Sequence, residues 1–436
     1  MSSSNMKSLL NWMRESLTYR VALVAVLTLI LLIPLELVKG IISEREDRSA
    51  SAINEVSYKW GDSQTFAGPM LVIPAHLPGS NRQNGNLQVL PLELNYNVNV
   101  STETKKRGIY EVPVYRSTIE FTGSIEVEDI ENKLPSQYEY DYANARVILH
   151  ISDVKGLASN AKLTIDNKTY KLSSVRSTSV LPGINLSSPI VIDSLNKPIR
   201  FSGSIELNGT SRLHLLPLGS TTQATIVSDW PHPHYEGAFV TSEEPQISSE
   251  GSSGKWRVLE INREYPQVFL NKDYSLLSSN FGVEFMQPVD HYAMSFRAAK
   301  YGILIISLTF VVFLLIQLVV KLRVHSVQYI MVGIGLVVFY LLLVSFAEQI
   351  GFTLAYAIAA LMTTALISWY AKGIYKKRGP VSALAGTLVI TYGFIFIVMQ
   401  LEDLALIAGS IILFVALAVL MYFTRQLQES NESEES

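Results

Sequence analysis

Residues 19–38 read YRVALVAVLTLILLIPLELV, with no base after Arg20 and no acid before Glu36. A hydrocarbon core about 30 Å thick takes about 20 helical residues to cross at about 1.5 Å each, so this stretch is long enough to span a bilayer. Lys7, Arg14 and Arg20 sit on its N-terminal side. Beyond Val38 the chain continues Lys39, Gly40, Ile41, Ile42, Ser43, Glu44, with no small-x-small cleavage site. The stretch reads as an uncleaved signal anchor behind a cytoplasmic N-terminus, residues 1–18. Five further apolar runs at 301–320, 327–347, 351–371, 380–399 and 404–423 form a C-terminal block, and residues 424–436 leave it as an acidic tail.

Composition agrees. The 436 residues are 48% hydrophobic and only 17% charged, against about 25% charged in an ordinary soluble domain. A net charge of −3 supplies no basic excess for nucleic-acid binding. The absence of cysteine excludes disulfides, thiol nucleophiles and cysteine metal sites.

Orientation follows from the short loops, since Lys and Arg are retained on the cytoplasmic side. With the N-terminus inside, the inner segments hold Lys321 and Arg323, then Lys372, Lys376, Lys377 and Arg378, then Arg425. The two outer turns carry Glu348 and the pair Glu402 and Asp403 instead. Both termini are therefore expected in the cytoplasm, with residues 39–300 on the far side of the membrane.

That insertion opens with Ile42, Arg45, Ser49, Ala52, Ile53 and Val56 at helical spacing, so the first helix should continue to about Tyr58. From Gly68 the period becomes two, as in Leu94, Tyr96, Val98 and Val100. Turn signals at Pro78-Gly79, Asn84-Gly85 and Asn208-Gly209 break it into short strands. An antiparallel β-sandwich-like domain is the expected solution. Residues 119–127, IEFTGSIEV, resemble 199–207, IRFSGSIEL, which raises the expectation of two related lobes.

Chemistry is sparse. Asp229-Trp230-Pro231-His232-Pro233-His234-Tyr235-Glu236 gathers two histidines, two carboxylates and an indole. On an extended strand His232 and His234 would share a side, as a zinc site requires, with Asp229 or Glu236 near. Two prolines and no HExxH helix favour a packing role. His76, His150, His214, His291 and His325 are scattered. No P-loop, GxSxG or dinucleotide fingerprint occurs, so no enzyme activity and no cofactor are expected. At membrane depth the spans carry mainly Ser and Thr, which argues against an ion relay.

Several strings resemble the CreD family of inner membrane proteins. They are Arg297, Lys300 and Tyr301 entering the second span; His325-Ser-Val-Gln328-Tyr329; Glu348-Gln-Ile-Gly351; Pro34; Glu44-Arg45; Gly68-Pro69; and Trp230-Pro231-His232-Pro233. Asp290 precedes them as a partner for Arg297 or Lys300. The resemblance implies a bacterial inner membrane protein whose residues 39–300 are periplasmic, with a role in envelope integrity, a stress response under a two-component regulon and colicin tolerance. It implies no catalytic residues.

The expected function is thus a non-enzymatic envelope factor, a membrane base carrying a periplasmic domain that meets an envelope protein or the cell wall. A transporter or lipid-handling protein gated by the β-domain is the alternative. It should show a cavity lined by Ser307, Thr309, Thr363, Thr364, Thr387 and Thr391. A metal-dependent periplasmic enzyme at His232 and His234 is the third reading. Oligomeric state is not legible.

Overall fold

The computed structural model describes residues 17–79, 83–126, 137–178, 181–192, 197–270, 274–285, 291–320, 324–375 and 377–400, with isolated positions 410, 414, 418 and 421. Apart from those four positions the sixth expected span lies outside the described residues, as does Asp290. The chain divides into two compact units, Met1–Arg48 with Val289–Ser436, and Ser49–Pro288.

In the first unit, α1 (Leu17–Trp60, whose later turns belong to the second unit) is followed by α2 (His291–Lys300), α3 (Gly302–Val320), α4 (Ser326–Ile350), α5 (Phe352–Tyr375) and α6 (Arg378–Gln400). Among the described residues, five of these are long and apolar enough to cross a membrane, α1 and α3–α6. Helix α1 runs on to Trp60, close to the end near Tyr58 that the spacing predicts.

Val24, Leu27, Leu31, Leu35, Val38 and Ile42 recur every three or four residues and are buried against the other helices. Leu29, Ile33 and Leu37, on other faces of α1, are more than half exposed. Apolar side chains on both faces are what a helix needs when protein lies on one side and lipid on the other. Pro34 sits inside α1; its missing N–H removes one backbone hydrogen bond, a loss membrane helices tolerate when neighbours compensate. Helix α4 meets α1 at Gly333, where a Cβ would fall 2.1 Å from Leu31 Cδ1, so the small residue admits the leucine.

In the second unit two sheets enclose one core. The first runs β14 (Pro233–Gly237), β18 (Phe281–Phe285), β12 (Arg212–Leu215), β1 (Gln64–His76), β6 (Arg146–Ile151), β10 (Leu181–Pro189), β9 (Ser173–Thr178). Off this path, β2 (Gln83–Val89) and β5 (Glu139–Tyr140) pair with β1, and β17 (Val268–Leu270) pairs with β2. The second sheet runs β15 (Gln246–Ser248), β16 (Gly251–Leu259), β13 (Thr221–Ser228), β3 (Glu93–Arg107), β4 (Tyr110–Ile125), β11 (Ile199–Thr210), β7 (Lys162–Ile165), β8 (Lys168–Lys171).

Rings interlock between the inner faces. Phe66 lies 5.4 Å from Phe121 and 5.9 Å from Tyr96, Tyr115 lies 5.1 Å from Phe285, and Trp256 lies 5.4 Å from Phe281. The sandwich is not purely antiparallel as expected. Strand β1 pairs in parallel with β12, and β3 with β13, because the long intervening chain lets each return beside its partner in the same direction.

The two-lobe expectation is also corrected. The repeated segments are neighbours in one sheet: β4 and β11 pair antiparallel, with Ile119 opposite Ile205, Thr122 opposite Ser202 and Ile125 opposite Ile199. Phe121 faces Gly203 and Gly123 faces Phe201. A Cβ on Gly203 would lie 2.2 Å from Phe121 Cζ, and one on Gly123 would lie 2.6 Å from Phe201 Cζ. Each ring occupies the space its opposing glycine leaves. The similar tripeptides that follow the two copies, Ile151-Ser152-Asp153 and Val227-Ser228-Asp229, diverge: Ile151 ends β6 in the first sheet, while Val227 lies on β13 in the second. The likeness thus serves one strand pair inside a single shared core.

Candidate functional site

Alternation within β12, β18 and β14 builds the site. Leu213, Leu215, Phe281, Val283 and Phe285 turn into the core. Their neighbours Arg212, His214, Gly282 and Glu284 must then face outward. Register sets them in two rows. Arg212 is opposite Glu284, which is opposite His234; His214 is opposite Gly282, which is opposite Glu236.

Gly282 has no side chain, so Glu236 reaches across it and its Oε1 lies 2.9 Å from His214 Nε2. A Cβ at Gly282 would meet Leu213 O at 2.1 Å and His214 Cδ2 at 2.9 Å. Arg212 Nε contacts Glu284 Oε1 at 3.0 Å and Glu236 Oε1 at 3.3 Å. The hydrogen bond from Arg212 to Glu284 raises the guanidinium pKa. Burial holds His214 below its ordinary value, although Glu236 pulls the other way. A carboxylate accepts only, so His214 donates from Nε2. The side chains of Arg212, Glu236 and Glu284 are about a fifth to a half exposed, and such partly solvated pairs contribute little individually.

The Asp229 to Glu236 segment is pinned before the strand begins. Both carboxylate oxygens of Asp229 accept from Thr102 N at 2.9 and 3.2 Å, one from Thr102 Oγ1 at 2.7 Å and the other from Ser101 Oγ at 3.3 Å. The Trp230 indole donates to the His232 carbonyl at 3.1 Å, and Ser252 Oγ donates to the Trp230 carbonyl. His232, between Pro231 and Pro233, therefore precedes β14 rather than sharing it with His234. Both imidazoles are exposed, and Glu236 is engaged by His214 and Arg212. Among the described residues no three His, Asp or Glu side chains form a group that could hold a metal.

Gly68 N donates to Tyr96 Oη at 2.8 Å, and Tyr96 Oη donates to Leu216 O at 3.1 Å. The Gly68-Pro69 pair thus stands where β1 is bolted to the opposite sheet. Its register with β6 shifts between Ala67 and Met70.

Two polar clusters stand out among the described residues of the membrane unit. Glu348, near the end of α4, accepts from Tyr292 Oη on α2 at 3.0 Å and lies 3.9 Å from Arg45 Nε on α1. Its neighbour Glu44 pairs with Arg48 at 2.6 Å. Gly351 ends α4 at φ 80°, donating to Ala347 O. Arg297 is half-buried on α2; Lys300 stands 5.2 Å from the Phe296 ring, and Tyr301 marks the break before α3. At the other end of α4, the Gln328 side chain accepts from His325 N at 3.0 Å. The buried Tyr329 hydroxyl donates to Gln317 Oε1 on α3 at 2.8 Å, with its ring edge-on to Phe313.

The residues expected to line a transporter's cavity do not converge on one pocket. Thr309, Thr363 and Thr391 are buried in packed helix contacts, and Thr391 bonds back to Thr387 O. An apolar groove of about 660 Å³ lies instead between α5 and α6, lined by Tyr356, Ala360, Thr364, Tyr392 and Phe396 among others. Of the expected threonines and serine, only Thr364 reaches it.

With this geometry in place, a family model described as Inner membrane protein CreD matches residues 16–429. The chain belongs to the CreD family. It is 27% identical over 418 residues to the inner membrane protein CreD of Escherichia coli (strain K12), an alignment covering 92% of this chain and 90% of that protein. Family membership and several apolar helices together describe a multi-pass inner membrane protein.

Sequence reasoning missed His214 as the partner of Glu236 and singled out His232 instead. The alternation Arg212-Leu213-His214-Leu215 does place two polar groups on one strand face, but the strand joining them to β14 arrives about seventy residues later.

Proposed function

We propose that this CreD-family protein supports the bacterial envelope without catalysing a reaction. Its helices form the base, both termini are cytoplasmic, and the β-unit works in the periplasm, where it engages an envelope protein or the cell wall. The observation that carries this reading is the presence of two separate hydrophobic cores, one of apolar helices and one of sheets. A β-unit with its own core does not need to line a membrane path to fold. The Lys and Arg distribution across the short loops supports the orientation.

The test has two parts. A reporter inserted near residue 150 should be reached by an impermeant reagent from outside the cytoplasm, and access only from inside would end the reading. Crosslinking in intact envelopes should join the β-unit to an envelope protein or to wall material; repeated crosslinks to neither would refute it.

A second reading, lipid handling, rests on the groove between α5 and α6. Its apolar walls and about 660 Å³ suit a hydrocarbon chain. A photoreactive acyl lipid should label Ala360 or Gly393 there, and labelling confined to other helix faces would dismiss it.

A further inference from the structure

A second concavity, of about 430 Å³, opens on the β-unit beside the last turns of α1. Ligand pockets commonly run from about 300 to 1,000 Å³ but are mostly apolar. This one is lined almost wholly by polar side chains, among them Asn54, Tyr58, Asp62, Ser63, Ser152 and Lys155.

Its walls are held independently of any ligand. Gln64 is fully buried and donates to the Asp153 and Asn208 carbonyls at 3.0 and 3.1 Å, while its oxygen accepts from Ser152 Oγ and Asp153 N. The Asp153 carboxylate accepts from Asp62 N and Lys155 N, each at 3.0 Å. A frame fixed in advance lowers the ordering cost of binding.

Three groups are left for a ligand. Asp62 engages Ser63 N through Oδ1, so its second oxygen can accept. The exposed Asn54 amide offers both a donor and an acceptor. Tyr58 is 71% exposed, with Lys155 Nζ 3.5 Å from its ring centroid. Two carboxylates against one ammonium disfavour phosphate or sulfate. Hydroxyl-rich ligands fit: carboxylate and amide groups take paired hydroxyls, and the face of the Tyr58 ring that Lys155 leaves uncovered receives the C–H face of a pyranose.

The polar surface also continues across the sheet. Thr65 N donates to Ser152 Oγ, Thr65 lies opposite His214, and His214 contacts Glu236. From β6 to β14 this crosses four strand spacings, about 19 Å at about 4.8 Å each, enough for several linked sugar rings.

We propose that this pocket binds a glycan, with one sugar ring on Tyr58 and Asp62 and the chain running along Thr65 toward His214. The inference deepens the envelope reading and rests on its periplasmic placement of the β-unit.

The test uses the full chain in lipid nanodiscs, titrated with tetra-N-acetylchitotetraose, maltotetraose and, as a charge control, tetralysine. Saturable binding of at least one oligosaccharide is expected, weakened about tenfold or more in both Tyr58→Ala and Asp62→Asn. Both positions are exposed, and unchanged melting would show that each variant is folded. No oligosaccharide binding at millimolar concentration, binding unchanged in both variants, or binding of tetralysine alone would each overturn the proposal. Such a failure with the residue 150 reporter still outside the cytoplasm removes the glycan and leaves the envelope reading standing. A reporter found inside removes that reading itself.

Discussion

Gly203→Ala tests the contact that explains the internal repeat. The added methyl would lie 2.2 Å from Phe121 Cζ and 2.6 Å from the Lys162 carbonyl oxygen. The first contact could be relieved only by moving a fully buried ring that also packs 5.4 Å from Phe66 on the facing sheet. The second is with backbone of the adjacent strand β7. Overpacking of this kind costs about 1–3 kcal/mol, and two simultaneous contacts place the expectation at the upper end. For a unit of this size that is about 2–4 °C of melting temperature per kcal/mol, so a fall of about 4–12 °C is expected. Tryptophan fluorescence of the purified protein reports it through the buried Trp256. Gly123→Ala should behave alike, its methyl meeting Phe201 Cζ at 2.6 Å and the Glu93 carbonyl oxygen at 2.0 Å. Melting within about 1 °C of the parent for either variant would show that ring and glycine do not share that space, and the structural account of the repeat would fail.

Acid should weaken the β-unit. Burial holds both His150 and His214 below the ordinary value, so just below about pH 6.5 the unfolded chain binds more protons and stability falls as pH drops, by up to about 1.4 kcal/mol per unit for each histidine. Comparing melts at mildly acidic and neutral pH checks the sign; His150→Asn should flatten the dependence, and an unchanged slope would refute the assignment. Asp229→Ala removes the acceptor of four hydrogen bonds from Ser101 and Thr102 and should cost about 1.5–3 kcal/mol, read by melting, with Asp229→Asn milder. Tyr329→Phe strands Gln317 Oε1 in the membrane unit at about 1–2 kcal/mol. Detergent unfolding should show part of that loss recovered in Gln317→Leu/Tyr329→Phe, because removing both partners leaves no unpaired group.

The membrane helices were legible in the sequence because a span is a local property: twenty apolar residues and their flanking charges lie together along the chain. The extension of α1 to Trp60 was legible for the same reason, through Ile42, Ala52 and Val56. Strand faces were readable wherever alternation was clean, as from Leu94 to Val100. What could not be read is which strand lies beside which. Residues 119–127 and 199–207 look like evidence of two lobes, since similarity without pairing information suggests duplication. Their real relation is contact, and the sign was the Phe-x-Gly spacing common to both: antiparallel pairing about Thr122 and Ser202 puts each Phe against the other strand's Gly. The candidate site followed the same rule. Asp229 to Glu236 stood out because its residues are consecutive, yet their partners are Thr102 on β3 and His214 on β12. Local density of histidine therefore singled out His232, whereas the imidazole that Glu236 contacts is His214, on another strand. The binding pocket left no local signal at all, because Tyr58 and Asp62 meet Ser152 and Lys155 only once β1 has paired with β6. Function built on sheet register is hidden from a reading of sequence until the pairing is known, whereas function built along one helix is not.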